Sequence, residues 1–382
     1  MRNEFSSIFD TMGQRFILVT SNYPPEAGGP SKFAGNFSLW ATNKFETVSV
    51  IATHPDTSSE KNVKGTSVHL ISRKLPILKR YLMMISTIKK LHTRDTVLLA
   101  NGSFFETYLA SVFFRVEYFV KLPGDIVWEH ARRKGETSLN LIDFQKSKMN
   151  LKNRILRHFF SMALKKAKCV IVPSTSVFDI CLGWGIKEER INVIFNGVDT
   201  DTFAPNLTIE KKFDWITVCR LTEIKRVNEL IDLAHELNRK LLIVGDGHLM
   251  EVLQEQSRKL SNVATFHGLA TQEELPALYN SSKFFVLNSE FEVGTPYALI
   301  EARSCGLVCI ANELDGSSDV INNGVDGFLF RRNTNESLKK KLTEATNLGA
   351  SYEVFSKAAR RSAQEFFSER FVYSLIYEKI AK

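Results

Sequence analysis

The sequence predicts an α/β protein of two doubly wound domains. Three observations carry that expectation. Short, nearly continuous apolar runs alternate with helical patterns along the 382-residue chain. The alternation halts once, at residues 196–212, where Asn-Gly, Asp and Thr residues, a Pro and a charge cluster read as a linker, and then resumes. The length is about twice that of a typical domain, so each half can bury its own core.

In order, the first domain (1–195) offers strands at Phe16–Thr20, Thr47–Ala52, Thr96–Ala100, Tyr118–Leu122 and Cys169–Pro173. Apolar runs without alternation read as parallel strands covered on both faces. The second domain (213–350) offers strands at Trp215–Cys219, Lys240–Val244, Val263–His267, Phe284–Leu287 and Val308–Ala311. Helices are expected between them at Val227–Asn238, Leu249–Leu260, Glu273–Asn280 and Pro296–Cys305. A charged helical tail follows at 351–382.

Composition narrows the class. With 44% hydrophobic and 24% charged residues, 20 Gly and 10 Pro, the chain is neither disordered nor collagenous. No apolar run approaches the roughly eighteen residues of a membrane-spanning helix. The opening Met-Arg-Asn-Glu-Phe-Ser-Ser has no basic stretch leading into an apolar one, so no secretory signal is expected. Cys169, Cys181, Cys219, Cys305 and Cys309 are odd in number and form no Cys-x-x-Cys pair. Three of them (Cys169, Cys219 and Cys309) lie in strand-like runs, which suggests buried free thiols and a reducing, cytoplasmic setting. The histidines lack zinc-ligand spacing, so no metal site is expected.

Charge is unevenly placed. Residues 1–195 hold 28 Lys+Arg against 16 Asp+Glu; the remainder hold 22 against 26. An anionic partner for the first half is implied, a lipid surface or nucleic acid. No aromatic-interleaved basic motif supports nucleic acid. From Arg73 to Arg94, by contrast, Leu78, Tyr81, Leu82, Ile85, Ile88 and Leu91 recur at helical spacing among seven cations. Such a basic amphipathic helix suits peripheral attachment to the inner membrane face, with a core-packed helix as the bland reading.

In open α/β sheets, ligands bind beyond the carboxyl ends of strands. After the first strand, Gly28-Gly29 precedes a helix start whose free N–H groups suit an anion. After Trp215–Cys219 come Arg220 and Lys225, a plausible diphosphate clamp of one planar fork and one point charge. Gly245-Asp246-Gly247 is a tight turn after the next strand. After Phe284–Leu287, Gly294-Thr295-Pro296 opens an apolar helix that contains Glu301. A carboxylate there needs a partner if buried; paired ribose hydroxyls or a structural cation would serve.

These stretches resemble those of the family 4 glycosyltransferases, retaining nucleotide-sugar-dependent enzymes of the GT-B fold, in which two Rossmann-like domains face an interdomain cleft. The resemblance covers about residues 16–345 and is most specific at 214–330. It implies that Arg220 and Lys225 hold the donor diphosphate, and that Glu301 holds the nucleotide ribose. It extends the donor site to Gly28, Gly29, Gly245, Gly268, Gly294 and Thr295. The family's first glutamate, separated from its second by seven intervening residues, falls at Val293; the nearest acid is Glu292, which a one-residue bulge would bring into that role. Gly316-Ser317-Ser318-Asp319 and the turn Asn323 to Leu329 are similar to later family segments, and Ile194 to Asp199 is similar to its interdomain junction.

In the first domain, Lys121-Leu122-Pro123-Gly124-Asp125-Ile126-Val127-Trp128-Glu129 resembles a bacterial polysaccharide-linked subset. The resemblance places Asp125 in the catalytic and acceptor site, with Trp128 and Glu129 on the acceptor wall; a loop cap is the structural alternative for Asp125. The function so implied is transfer of a hexose-type sugar from a nucleotide diphosphate donor, such as a UDP- or GDP-sugar, to a saccharide or lipid-linked acceptor with retention. No cofactor or metal is expected. Alternatives are a nucleotide-sugar epimerase or phosphorylase on the same scaffold, a non-catalytic nucleotide-sugar-binding partner protein, and, last, a nucleic-acid binder.

Overall fold

Runs such as Phe16-Ile-Leu-Val, apolar on both faces, can only be satisfied inside a sheet with helices on either side. The computed structural model, which describes residues 13–26, 28–331 and 335–381, meets that demand twice. The N-terminal stretch on which the signal reading rests lies outside the described residues. Contacts divide the chain into two units: residues up to 194 together with those from 373 on, and residues 195–372.

The strands of the first unit are β1 (Arg15–Thr20), β2 (Thr47–His54), β3 (Ser59–Val63), β4 (Thr66–Ser72), β5 (Thr96–Asn101), β6 (Phe119–Lys121), β7 (Val170–Val172) and β8 (Ile191–Val193). Their spatial order is β3-β4-β2-β1-β5-β6-β7-β8. All pairings are parallel except β3 with β4, a hairpin that the sequence pattern does not announce. Strand β3 is exposed and polar, a charged edge that discourages further pairing. Its turn, Lys64-Gly65, has positive φ at both positions (49° and 87°), which matches the twist of the flanking strands.

The helix Gly29–Ala41 stacks on β1 through rings. Phe16 meets Phe37 and Phe45, with centroids 5.6 and 4.9 Å apart. Tyr373 meets Phe37 edge-on at 5.2 Å and Tyr377 meets Phe45 at 5.5 Å. Both tyrosines come from the last helix, Glu369–Ile380, so the tail expected at 351–382 is helical but its final residues belong to the first unit's core.

The basic segment forms the helix Ile77–Leu91. It buries Met84, Ile85 and Ile88, yet leaves Leu78 and Leu82 68% and 59% exposed. Of the expected apolar stripe, Ile85 and Ile88 are buried, Tyr81 and Leu91 are half-buried, and Leu78 and Leu82 face solvent.

The second unit contains β9 (Phe213–Val218), β10 (Leu241–Val244), β11 (Ala264–Gly268), β12 (Ser282–Leu287), β13 (Val308–Asn312) and β14 (Gly327–Phe330). The order is β11-β10-β9-β12-β13-β14 and every pairing is parallel. The chain runs outward from β9 to β11, then restarts beside β9 with β12. That is a topological switch point, and the loops after β9 and β12 flank it. The expected linker packs Val198 and Phe203 into this unit's core. All five cysteines are free; four are buried and Cys219 is half-buried. Among the described residues no helix is long and apolar enough to cross a membrane.

Candidate functional site

In the second unit, the β9 loop is fixed by backbone contact. Leu221 N–H donates to the Asp246 carbonyl at 2.9 Å, and Gly245 N–H donates to the Gly268 carbonyl at 2.7 Å. A Cβ at Gly245 would lie 1.9 Å from the Cys219 carbonyl oxygen, and one at Gly247 would lie 2.2 Å from that of Leu221. These glycines let the β10 loop lie flat against the segment that carries Arg220. Burial pushes the Cys219 thiol up to about 11.

Arg220 is exposed, and its guanidinium has no partner among the described residues. Lys225 lies in a short helical turn, Glu223–Lys225, and donates to Ser289 Oγ at 3.2 Å and to Glu292 Oε1. Burial opposes its charge, but the Glu292 carboxylate outweighs burial and holds the ammonium above its usual range. The β12 loop is latched on the same segment. Glu290 N–H donates to the Ile224 carbonyl at 2.7 Å, Arg226 pairs with Glu290, and Asn288 donates to Glu229 at 3.0 Å. Arg226 itself adopts φ 48°.

The helix Tyr297–Ser304 begins after Pro296. Glu301, 3% exposed, accepts from the Tyr279 hydroxyl at 2.9 Å. The partner demanded by its burial thus includes a phenol from the preceding helix, and burial with this carboxylate raises the Tyr279 hydroxyl. Thr295 is buried, and its carbonyl accepts from Asn196 at 2.8 Å. Gly294 meets the helical turn 315–318: a Cβ at Gly316 would lie 2.1 Å from the Gly294 carbonyl oxygen. Two residues beyond Glu301 in the same helix, fully buried Arg303 makes a two-pronged pair with Asp326, at 3.0 and 2.7 Å.

In the first unit, Gly28 (φ 124°) caps the helix Gly29–Ala41, which has no side-chain cap. Its first turn is anchored by Asn101, whose Nδ2 donates to the Pro30 carbonyl at 3.0 Å. Asp125 is the N-cap of the helix Ile126–Arg133. Its Oδ1 accepts from the N–H groups of Val127 (2.8 Å) and Trp128 (3.2 Å), and its Oδ2 accepts from Gln145 at 2.6 Å. Burial nonetheless raises its carboxyl. Asp125 thus caps this helix, with both oxygens in use. Trp128 is buried, with Nε1 donating to the Leu139 carbonyl at 3.0 Å, and so stands in the core rather than on an open wall. Glu129 keeps an exposed edge, while neighbouring groups desolvate its carboxyl and, with the Asp125 charge, push it up to about 7, against Arg133.

The structure therefore groups Arg220, Lys225 and Glu292 with the Gly245 turn, sets Glu301 on Tyr279, and groups Asp125, Trp128 and Glu129 around one helix start. Sequence reasoning missed Lys121. It is 3% exposed at the end of β6, its ammonium 4.5 Å over the Phe33 ring, and burial lowers it to about 8. A cation inside an otherwise apolar strand was the available signal. Tyr279 and the Arg303–Asp326 pair gave none, because their partners lie twenty or more residues away. Among the described residues no three His, Cys, Asp or Glu side chains converge as a metal-holding group.

Comparison with known proteins gives two family matches. "Glycosyl transferases group 1" matches residues 199–362 and "Glycosyltransferase Family 4" matches residues 130–202; together they run unbroken over more than half of the chain. An uncharacterized glycosyltransferase of Methanocaldococcus jannaschii is 27% identical over 62% of this chain and 66% of its own length. The UDP-Gal:alpha-D-GlcNAc-diphosphoundecaprenol alpha-1,3-galactosyltransferase of Escherichia coli is 30% identical over 42% of this chain and 46% of its own. The chain thus spans about half to two thirds of the length of these curated relatives. Anabaena HepE, solved with UDP, superposes with a TM-score of 0.77 over 96% of this chain and all of its own, at 16% identity. That likeness is one of fold.

Proposed function

Since this chain belongs to the family 4 glycosyltransferases and has their GT-B fold, we propose that it moves a hexose-type sugar from a nucleotide diphosphate donor to a saccharide or lipid-linked acceptor, with retention of configuration. The observation that carries this reading is the pair of cations at the second unit's switch point. Lys225 is kept charged by Glu292, and Arg220 stands open beside the same loop.

Breaking the donor's glycosidic bond leaves negative charge on the diphosphate. Arg220 and Lys225 stabilise that charge, and Lys225, held by Glu292 and Ser289, is already in place before the donor arrives. In this reading they, rather than a metal ion, neutralise the leaving group. Glu292 orients Lys225 in the resting enzyme and reaches the donor sugar, while Glu301, steadied by Tyr279, takes the ribose. Gly28, Gly29, Gly245, Gly268, Gly294 and Thr295 allow close backbone approach. On the acceptor side, Glu129 is the open carboxylate and contacts the acceptor hydroxyl, with Asp125 and Trp128 shaping the helix that presents it. The departing phosphate assists deprotonation of the acceptor.

Lipid-linked acceptors are favoured by the relatives' own substrates, two of which are diphospho-undecaprenol sugars. They are also favoured by the exposed Leu78 and Leu82 among the cations of the helix Ile77–Leu91. This combination suits peripheral attachment to an anionic inner membrane face, a cytoplasmic setting and polysaccharide assembly.

A thermal-shift panel of nucleoside diphosphates followed by a transfer assay tests the reading. UDP or GDP should stabilise the protein, and Lys225→Ala should lose that stabilisation and the transfer together while the fold persists. Wild-type turnover by Lys225→Ala would refute the site. Consumption of nucleotide sugar without any acceptor would favour an epimerase.

A further inference from the structure

The amino-terminal edge of the second sheet carries a cavity of about 890 Å³. Its wall includes Asp214 near the start of β9, Arg239 just before β10, Lys283 near the start of β12, and Gly306 before β13. The donor residues all follow strand ends. In a wholly parallel sheet the two places are therefore at opposite edges, and the cavity is not part of the site described above.

Its charge runs against its surroundings. The half of the chain from residue 196 on has more acids than bases, 26 against 22. Yet the cavity is lined by Lys211, Arg239, Lys283, Lys357, Arg360 and Arg361, with only Asp214 and Glu353 opposing them. Asp214 is shared loosely, its Oδ1 lying 3.8 Å from Arg239 and 3.9 Å from Lys283.

One of these cations is built in rather than merely present. Arg360 donates through Nη1 to the carbonyls of Thr200 (2.8 Å), Phe203 (2.7 Å) and Ser304 (2.7 Å). Its Nε and Nη2 meet no protein acceptor among the described residues. Three carbonyls thus lock the guanidinium in place while the rest of its donor fork stays available, a geometry matched to phosphate oxygens. Beside it the cavity wall is apolar. Tyr352 packs edge-on against Phe284 with centroids 5.4 Å apart, next to Leu348 and Pro205.

We propose that this cavity binds a small organophosphate, its phosphate on Arg360 and the rim cations Arg239, Lys357 and Arg361, its carbon body against Tyr352 and Leu348. The site does not depend on the transferase reading. A ligand here would join the segment 200–211 to the helix Tyr352–Phe366, which leads into the last helix of the chain.

Calorimetric titration of the full chain with phenyl phosphate, inorganic phosphate and phenol tests the proposal. Phenyl phosphate should bind more tightly than inorganic phosphate, and phenol should give no heat. Arg239→Ala/Lys357→Ala/Arg361→Ala should weaken phenyl phosphate by about tenfold or more, the loss expected for charge-assisted contacts at the rim. Lys357→Ala alone should give a smaller loss at an unchanged melting temperature. Lys225→Ala, which empties the other proposed phosphate site, should leave the binding unchanged. Equal binding by the triple variant, loss of binding in Lys225→Ala, binding of phenol, or no binding of phenyl phosphate at millimolar concentration would each overturn it.

Discussion

Lys121 is a lysine that the fold dehydrates. Its usual value near 10.5 falls to about 8 because burial disfavours the ammonium. For a base lowered in the folded state, the unfolded chain binds more protons between the two values. Folded stability is therefore penalised below about 8, and the penalty lifts as pH rises toward 10.5. Lys121→Met should be more stable than wild type at pH 7 by about 1–3 kcal/mol, after allowing for the lost contact with Phe33. It should also lack the gain in stability on alkaline titration; urea midpoints at pH 7 and pH 10 measure both. Asp326 poses the opposite case. Asp326→Asn leaves the Arg303 guanidinium buried without its carboxylate and should cost about 3–5 kcal/mol in the same assay. Gly245 is tied by contact rather than charge. Gly245→Ala sets a methyl against the Cys219 carbonyl, so the β9 loop must move; nucleoside diphosphate affinity should fall even though no ligand-binding side chain has changed.

At the scale of elements, the helix Ile77–Leu91 separates two uses of one apolar stripe. Met84, Ile85 and Ile88 hold it to the sheet, while Leu78 and Leu82 contribute nothing to that core. Leu78→Ser/Leu82→Ser should leave the melting temperature within about a degree of wild type, as surface changes usually do. It should nonetheless reduce flotation with anionic liposomes at low salt. Unchanged flotation would remove this helix from membrane contact. The same scale shows what the chain discloses by itself. The parallel strands were legible because burial on both faces demands unbroken apolar runs; β9, β10, β12 and β13 lie within two residues of their expected bounds. Strand β3 was illegible because an exposed edge needs no apolar residue, and β8 because Asn192 breaks its short apolar run, unlike the equally short β7. The clustering of Arg220 and Lys225 followed from spacing, whereas the pairing of Lys225 with Glu292 depends on β12 lying beside β9, a fact of topology. For Asp125 a helix cap and a chemical role stood side by side in sequence, since an N-cap aspartate and a reactive one are spelled alike; the structure shows the cap.

For the whole molecule, the division into units does not follow the order of the chain. The first unit's aromatic core is completed by Tyr373 and Tyr377, which follow all of the second unit. Tyr373 is buried between Phe33, Phe37 and Trp40. Tyr373→Ala should therefore lower the unfolding transition of the first unit by about 3–5 kcal/mol and leave the second unit's transition in place. Calorimetry that resolves the two transitions would check this, and a loss confined to the second would contradict the assignment.

That closing contact also bears on birth at the ribosome. Domains ordinarily settle in the order in which they are translated. Here residues 195–372 are complete in sequence while the earlier-made sheet still lacks the rings that seal it. The sheet made first thus waits, partly unsealed and in need of shelter, through all the synthesis of the second unit until translation has passed Tyr377.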